Sequence, residues 1–208
     1  MIIGIHGKLR SGKDTVARLL SEKFIELGFK TRKRAFADSL REVVEKIICV
    51  ERKFVDDSYS TQSLDFTEEQ KNTYIPEFDL TIGQMLQHLG TETMRDHFNI
   101  NVWVNSLWLN IKDIYENEIV IVTDVRFINE VKFLRDTGCI LINVEGKPTT
   151  QTDESTRDKN HSSETSLDSF NEYDFVIKND GTLDELKNKI NFISTQILEH
   201  YRHIYNIT

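Results

Sequence analysis

Gly7, Ser11, Gly12, Lys13 and Thr15 fall within nine residues directly after the apolar run Ile2-Ile3-Gly4-Ile5, and residues of these types at this spacing can hold a polyphosphate. The glycines let a loop wrap so that backbone N–H groups converge on one anion, and the start of the following helix adds its positive dipole end. Lys13 reaches the β- and γ-phosphates as a point charge. Because Asp14 stands directly after it, the hydroxyl facing a bound magnesium ion falls to Thr15. Gly7, Ser11, Gly12, Lys13, Asp14 and Thr15 are thus the candidate triphosphate-binding residues, and Arg10 is a candidate catalytic cation.

A second constellation is Val122-Thr123-Asp124-Val125-Arg126. An apolar strand that ends in a carboxylate beside a phosphate loop points that carboxylate at metal and phosphates, so Asp124 is a candidate metal ligand, directly or through water. Arg126 emerges on the same side if strand geometry persists, and its guanidinium can grip phosphate oxygens in a bidentate way. The structural alternative for Arg126 is an ion pair with Glu130, one helical turn on. Phosphoryl transfer needs alignment and charge cancellation more than it needs a base, which makes Arg10, Lys13, Asp124 and Arg126 the candidate catalytic set. Arg157, in the polar stretch 147–164, is either a further cation delivered by a closing lid or a solvated loop arginine. The block Leu86-Gln87-His88-Leu89-Gly90-Thr91-Glu92, with Arg95 and Trp103 beyond it, reads on spacing alone as a helix break followed by a core tryptophan.

These groups need a scaffold that brings them together. Short β-like runs alternate with amphipathic stretches, the pattern of a mainly parallel sheet covered by helices on both faces. The expected fold is an α/β/α sandwich with a five-stranded sheet. Strands are expected at residues 2–5, 34–37, 119–122, 140–144 and 175–177. Helices are expected at 16–27, at 40–48 with Asp38-Ser39 as cap, from the Thr81 cap to about 95, and at 103–115, 127–135 and from Thr182 onward. Residues 51–79 read as an irregular or partly helical insertion. All of this is expected to form a single domain over 1–208, with an acceptor-binding and insertion region at about 51–117 and a lid at about 146–165.

Composition narrows the class. The chain has 208 residues and a net charge of −8, which disfavours a surface for polymeric nucleic acid. No run approaches the roughly 20 apolar residues of a membrane span, so a cytoplasmic protein is expected. Cys49 and Cys139 lie in apolar surroundings without metal-ligand spacing and read as buried free thiols.

Taken in order, the motifs resemble the viral and phage deoxynucleoside monophosphate kinases, a branch of the P-loop kinases. The resemblance is carried by Arg10-Ser11-Gly12-Lys13-Asp14-Thr15, Leu86-Gln87 with Leu89-Gly90-Thr91-Glu92 and Trp103-Val104, Asp124-x-Arg126 with Glu130, His161-x-x-Glu164, and Asn179-Asp180-Gly181-Thr182-Leu183. It implies transfer of the γ-phosphate of ATP to a deoxynucleoside 5′-monophosphate with magnesium, by a homodimer. It further implies that Gln87, Gly90, Thr91, Trp103, Asp124, Arg126 and Glu130 surround the acceptor, and that His161 and Glu164 order the lid. Asp38 joins the acceptor set by its place after the second strand, with a helix cap as the alternative. The chain departs from its relatives at Gly83-Gln84, where they carry an arginine before the Leu-Gln pair, so that one acceptor-phosphate contact is either missing or supplied by Arg41 or Arg95. Other acceptors on the same scaffold, of the phosphomevalonate or dephospho-coenzyme A kind, and a slowly hydrolysing nucleotide-dependent switch are the competing readings.

Overall fold

The computed structural model describes residues 1–49, 65–115, 117–146 and 161–205. Along the chain run β1 (Ile2–Gly7), α1 (Lys13–Glu26), β2 (Lys30–Arg34), α2 (Asp38–Ile48), α3 (Glu68–Lys71), β3 (Tyr74–Ile75), β4 (Leu80–Thr81) and α4 (Ile82–Gln87). A π-helix (His88–Phe98) follows, then α5 (Val102–Ile111), β5 (Glu118–Val122), α6 (Ile128–Asp136), β6 (Ile140–Gly146), α7 (Ser162–Thr165), β7 (Phe175–Asn179) and α8 (Leu183–Tyr205).

The five-stranded sheet has the order β2-β5-β1-β6-β7 with every pairing parallel, and β3 and β4 form a separate antiparallel hairpin. Side-chain alternation along the strands explains the layers. Ile3, Ile5, Ile119, Ile121, Ile140 and Ile142 face one core, built with Val16, Leu20 and Phe24 of α1 and Leu186 and Ile190 of α8. Val120, Val122 and Leu141 face the opposite core, with Leu40 and Val44 of α2, Trp103 and Leu107 of α5 and Leu134 of α6. Since both faces are covered, β5 is buried at every residue, and its residues 119–122 read in sequence as an unbroken apolar run. The result is the α/β/α sandwich expected from the sequence, with β1 at the centre of the sheet.

Several boundaries differ from the sequence reading: the helix expected at 103–115 ends at Ile111, and two further differences have a clear physical cause. The second strand is Lys30–Arg34, not 34–37; it lies at the sheet edge, where charged residues reach solvent past one neighbour and leave no apolar pattern. The helix predicted from Thr81 to about 95 begins as expected with a reciprocal cap: Thr81 Oγ1 accepts from Gln84 N (3.2 Å) and Gln84 Oε1 accepts from Thr81 N (2.8 Å). Beyond Gln87, however, it widens into the π-helix. Thr182 caps α8 in the same reciprocal way with Glu185. The insertion, where described, holds α3 and the β3–β4 hairpin. Of the two thiols, Cys139 is buried as expected but Cys49 is exposed at the end of α2, where it takes a left-handed backbone.

Candidate active site

β1 runs into the loop at residues 8–12, which delivers Lys13 to the first turn of α1. Gly12 sits at φ 87°, a left-handed conformation that costs glycine little, and Arg10 adopts φ 63° on the exposed outer turn. The loop is wedged between two strand ends. A Cβ on Gly146, at the end of β6, would stand 2.6 Å from Ser11 Cα, and Asn179, at the end of β7, donates from Nδ2 to Ser11 O (2.9 Å). Ser11 is 4% exposed, and its hydroxyl has no hydrogen-bond partner among the described residues.

Gly7 ends β1 and Thr15 is half-buried on α1, while Asp14 is exposed and pairs with Lys33 of β2 (3.1 Å). Burial depresses the Lys13 ammonium below its ordinary range; Asp14 pulls it up, and the positive charges of Arg126 and Lys71 press it down.

Beyond the loop lies an open cavity of about 110 Å³. Gln87, Gly90, Thr91, Trp103, Asp124, Arg126 and Glu130, expected around an acceptor, all line it. Each has a definite local reason to be there. Asp124 leaves the end of β5 and accepts from Phe36 N (2.7 Å) through Oδ1 and Ala37 N (3.0 Å) through Oδ2, tying the β2–α2 corner to the central sheet. Charged hydrogen bonds of this kind are worth about 1.5–3 kcal/mol each.

Trp103 is 4% exposed and spends its indole N–H on Gly90 O (2.8 Å), so it is a core residue whose edge completes the wall. Gly90 packs closely on α2: a Cβ there would lie 2.6 Å from Leu40 Cδ2, so the leucine side chain would have to shift.

The pairing considered for Arg126 and Glu130 is replaced by a longer-range arrangement. Glu130, 1% exposed, binds Arg95 Nη2 (2.5 Å) and accepts the backbone N–H groups of Arg126 (2.7 Å) and Phe127 (3.0 Å). Burial pushes its carboxyl above the ordinary carboxylate range, against the pull of Arg95. The Arg95 guanidinium lies 4.0 Å from the centre of the Phe127 ring, a cation–π contact. The Arg126 side chain turns instead to Glu164 on α7 and to Ser163 O (3.4 Å). Burial lowers the Arg126 affinity for its proton, but Glu164 and Asp124 outweigh this and hold it firmly charged.

The remaining sequence candidates fall elsewhere. Asp38 does not line the cavity and does not cap α2 with its side chain; it accepts from Ala35 N (2.9 Å) and pairs with Arg41 (3.1 Å). His161 caps α7, accepting from Ser163 N (3.2 Å), and Lys8 clasps the same segment through Glu164 O (2.9 Å) and Asp168. Arg157 and lid positions 147–160 lie outside the described residues.

Sequence reasoning passed over Phe36, Asp65, Lys71, Phe127 and Ser163, all of which line the cavity. Arg41 and Arg95, named only as substitutes for a missing arginine, line it as well. Asp65 joins Arg41 Nε (2.9 Å) to Lys71 Nζ (3.0 Å). Burial alone would raise the Asp65 carboxyl, but Arg41 and Lys71 hold it well below the usual carboxylate range.

A carboxylate depressed on folding adds stability that is present above its unfolded pKa, about 4, and is lost as pH falls below that value. The thermal midpoint should therefore fall more steeply between about pH 5 and pH 2 in the wild type than in Asp65→Asn. Equal slopes in a pH series of melting curves would remove Asp65 from the account.

Among the described residues, no helix is long and apolar enough to cross a membrane, and no group of three or more His, Cys, Asp or Glu side chains could hold a metal by itself.

Residues 22–190 match the family described as "Deoxynucleotide monophosphate kinase". A putative deoxynucleotide monophosphate kinase of Acanthamoeba polyphaga mimivirus is 30% identical over 203 residues, spanning 91% of this chain and 94% of that protein. The deoxynucleotide monophosphate kinase of Escherichia phage RB69 is 34% identical over 112 residues, 53% of this chain and 43% of the phage protein. An APS kinase structure from Mycobacterium tuberculosis aligns over 91% of this chain and 92% of its own at 16% identity and a TM-score of 0.38, a likeness too distant to add to the fold described above. With a family match across most of its length and a viral relative matched nearly end to end, the chain belongs to the deoxynucleotide monophosphate kinase family and is a phosphotransferase.

Proposed function

We propose that the chain transfers the γ-phosphate of ATP to a deoxynucleoside 5′-monophosphate, with the triphosphate on the 8–12 loop and the start of α1 and the acceptor in the adjoining cavity. One observation carries this reading. The residues that family resemblance assigns to the acceptor, scattered from Gln87 to Glu130, line one cavity, and its Arg126 feels the charge of Lys13 on the loop.

The chemistry follows from charge and alignment. Lys13 neutralises the β- and γ-phosphates, and Arg126 meets the charge that spreads over the transferring group. Arg126 is now occupied by Glu164, so a nucleotide phosphate competes with that carboxylate for the guanidinium. Asp124, with each oxygen already holding a backbone N–H, is a rigid negative wall at the strand end.

Magnesium fits a donor set of this kind. It needs only one or two protein oxygens besides the phosphates, and Thr15, with Asp124 through water, would supply them. Bound there, the ion would supply positive charge against the negative charge that develops on the phosphates.

The test is ADP formation from ATP and magnesium, with each deoxy- and ribonucleoside monophosphate offered separately and mevalonate 5-phosphate as control. Turnover with one or more deoxynucleotides supports the reading and gives the base preference. Stimulation by the control acceptor alone, or by none, would overturn it.

A further inference from the structure

We propose that Lys71, brought into the cavity by the short α3 turn of the insertion, binds the phosphate of the acceptor nucleotide, with Asp65 as the residue that positions it. This rests on the acceptor reading given above and adds to it a contact from a segment whose sequence carries no phosphate-binding signature.

Lysine is seldom buried, because desolvating an ammonium is costly unless a partner is supplied. Lys71 is nonetheless only 9% exposed, and it lines the same cavity as Arg126 and Asp124. Its place is built deliberately. Thr67 Oγ1 accepts from Gln70 N (3.1 Å) while Gln70 Oε1 accepts from Thr67 N (3.0 Å), a reciprocal cap that fixes the turn carrying Lys71. Next to the cap, Phe66 is 1% exposed and anchors the segment in the core shared with α2, α4 and α5.

Lys71 Nζ donates to Asp65 Oδ2 (3.0 Å) and to Glu68 Oε1 (3.2 Å). An ammonium has three donors, so Lys71 can keep its bond to Asp65 and still serve a ligand. Asp65 divides its charge between two cations, since Arg41 Nε stands 2.9 Å from its other oxygen and Arg41 also lines the cavity. One carboxylate thus aligns an arginine and a lysine along the same wall.

The wider electrostatics point the same way. Lys13 from the start of α1, Arg126 from beyond β5 and Lys71 from the insertion come close enough for Arg126 and Lys71 to disfavour the charge on Lys13. Like charges gathered from three distant parts of a chain repel one another, and an anion between them relieves the repulsion. The acceptor's phosphomonoester is close to a dianion at neutral pH, as phosphate esters are. Of the other cavity cations, Arg95 turns to Glu130 inside the core and Arg126 to Glu164.

The experiment begins with wild-type turnover of a deoxynucleoside monophosphate; its absence would overturn the acceptor assignment and the role of Lys71 together. With turnover established, Lys71→Gln should raise the acceptor KM about tenfold or more, the scale of a lost charged hydrogen bond, while kcat and the KM for ATP stay within about threefold. Lys71→Arg, which keeps the charge, should recover most of that loss. An acceptor KM unchanged in Lys71→Gln, or a rise matched by the KM for ATP, would overturn the proposal and leave the acceptor reading standing. Should Lys71→Gln not fold, the Nζ resonance of Lys71 in wild-type protein with 15N-labelled lysine decides the matter. It should move on titration with the monophosphate and stay in place with the corresponding nucleoside, and no movement with the monophosphate would overturn the proposal.

Discussion

Lys13→Ala is expected to abolish turnover, lowering kcat by at least about three orders of magnitude, or roughly 4 kcal/mol of transition-state stabilisation. No other cation stands in the helix-start position that the loop creates. The fold should hardly notice. Among the described residues Lys13 has only a distant ion-pair partner in Asp14 (4.0 Å), and burial disfavours its charge, so removing the ammonium also relieves a desolvation cost. A thermal midpoint within a few degrees of wild type, together with loss of ADP formation, is the expected pair of results. Retained activity would show that the loop is not the triphosphate site.

Arg126→Ala should cost about 2–4 kcal/mol in kcat/KM, the scale of one missing charge contact in the transition state. The structure sharpens this test because the guanidinium binds Glu164. Two roles therefore separate cleanly. If Arg126 only braces α7, its removal lowers the thermal midpoint and leaves kcat/KM near wild type. If it meets the transferring phosphoryl group, kcat/KM falls, and a parallel Glu164→Gln variant, which frees the guanidinium, does not reproduce that fall. Steady-state kinetics on both variants, with melting curves alongside, distinguish the two.

The legible parts of the molecule were those where one local rule dominated. β5 and β6 announced themselves as apolar runs because both sheet faces are covered, and the loop after β1 did so through glycine and lysine spacing. β2 was misplaced because an edge strand of sequence Lys-Thr-Arg-Lys-Arg has no such pattern, while the adjacent Ala35-Phe36-Ala37 looks apolar for another reason: it turns its backbone N–H groups onto Asp124. The π-helix was hidden because widening a turn leaves composition unchanged. In the cavity, Gln87, Gly90, Thr91 and Glu130 were reached through family resemblance. Spacing alone assigned Gly90 to a helix break and Trp103 to the core, and the burial of Trp103 bears out the second. Asp65 and Lys71 gave no signal, since their meaning depends on Arg41, which lies outside their own segment.

The central position of β1 also governs how the protein comes off the ribosome. Its neighbours are β5 and β6, so Ile3 must wait for Ile121 and Ile140 before either edge of its strand is paired. Contacts that close loops of this length are slow to form and leave apolar strands uncovered in the meantime. The 8–12 loop is synthesised well before one of its buttresses, Gly146, and the other, Asn179, emerges later still. A nascent chain arrested before β6 would carry the 8–12 loop in its sequence without the two strand ends that wedge it in place.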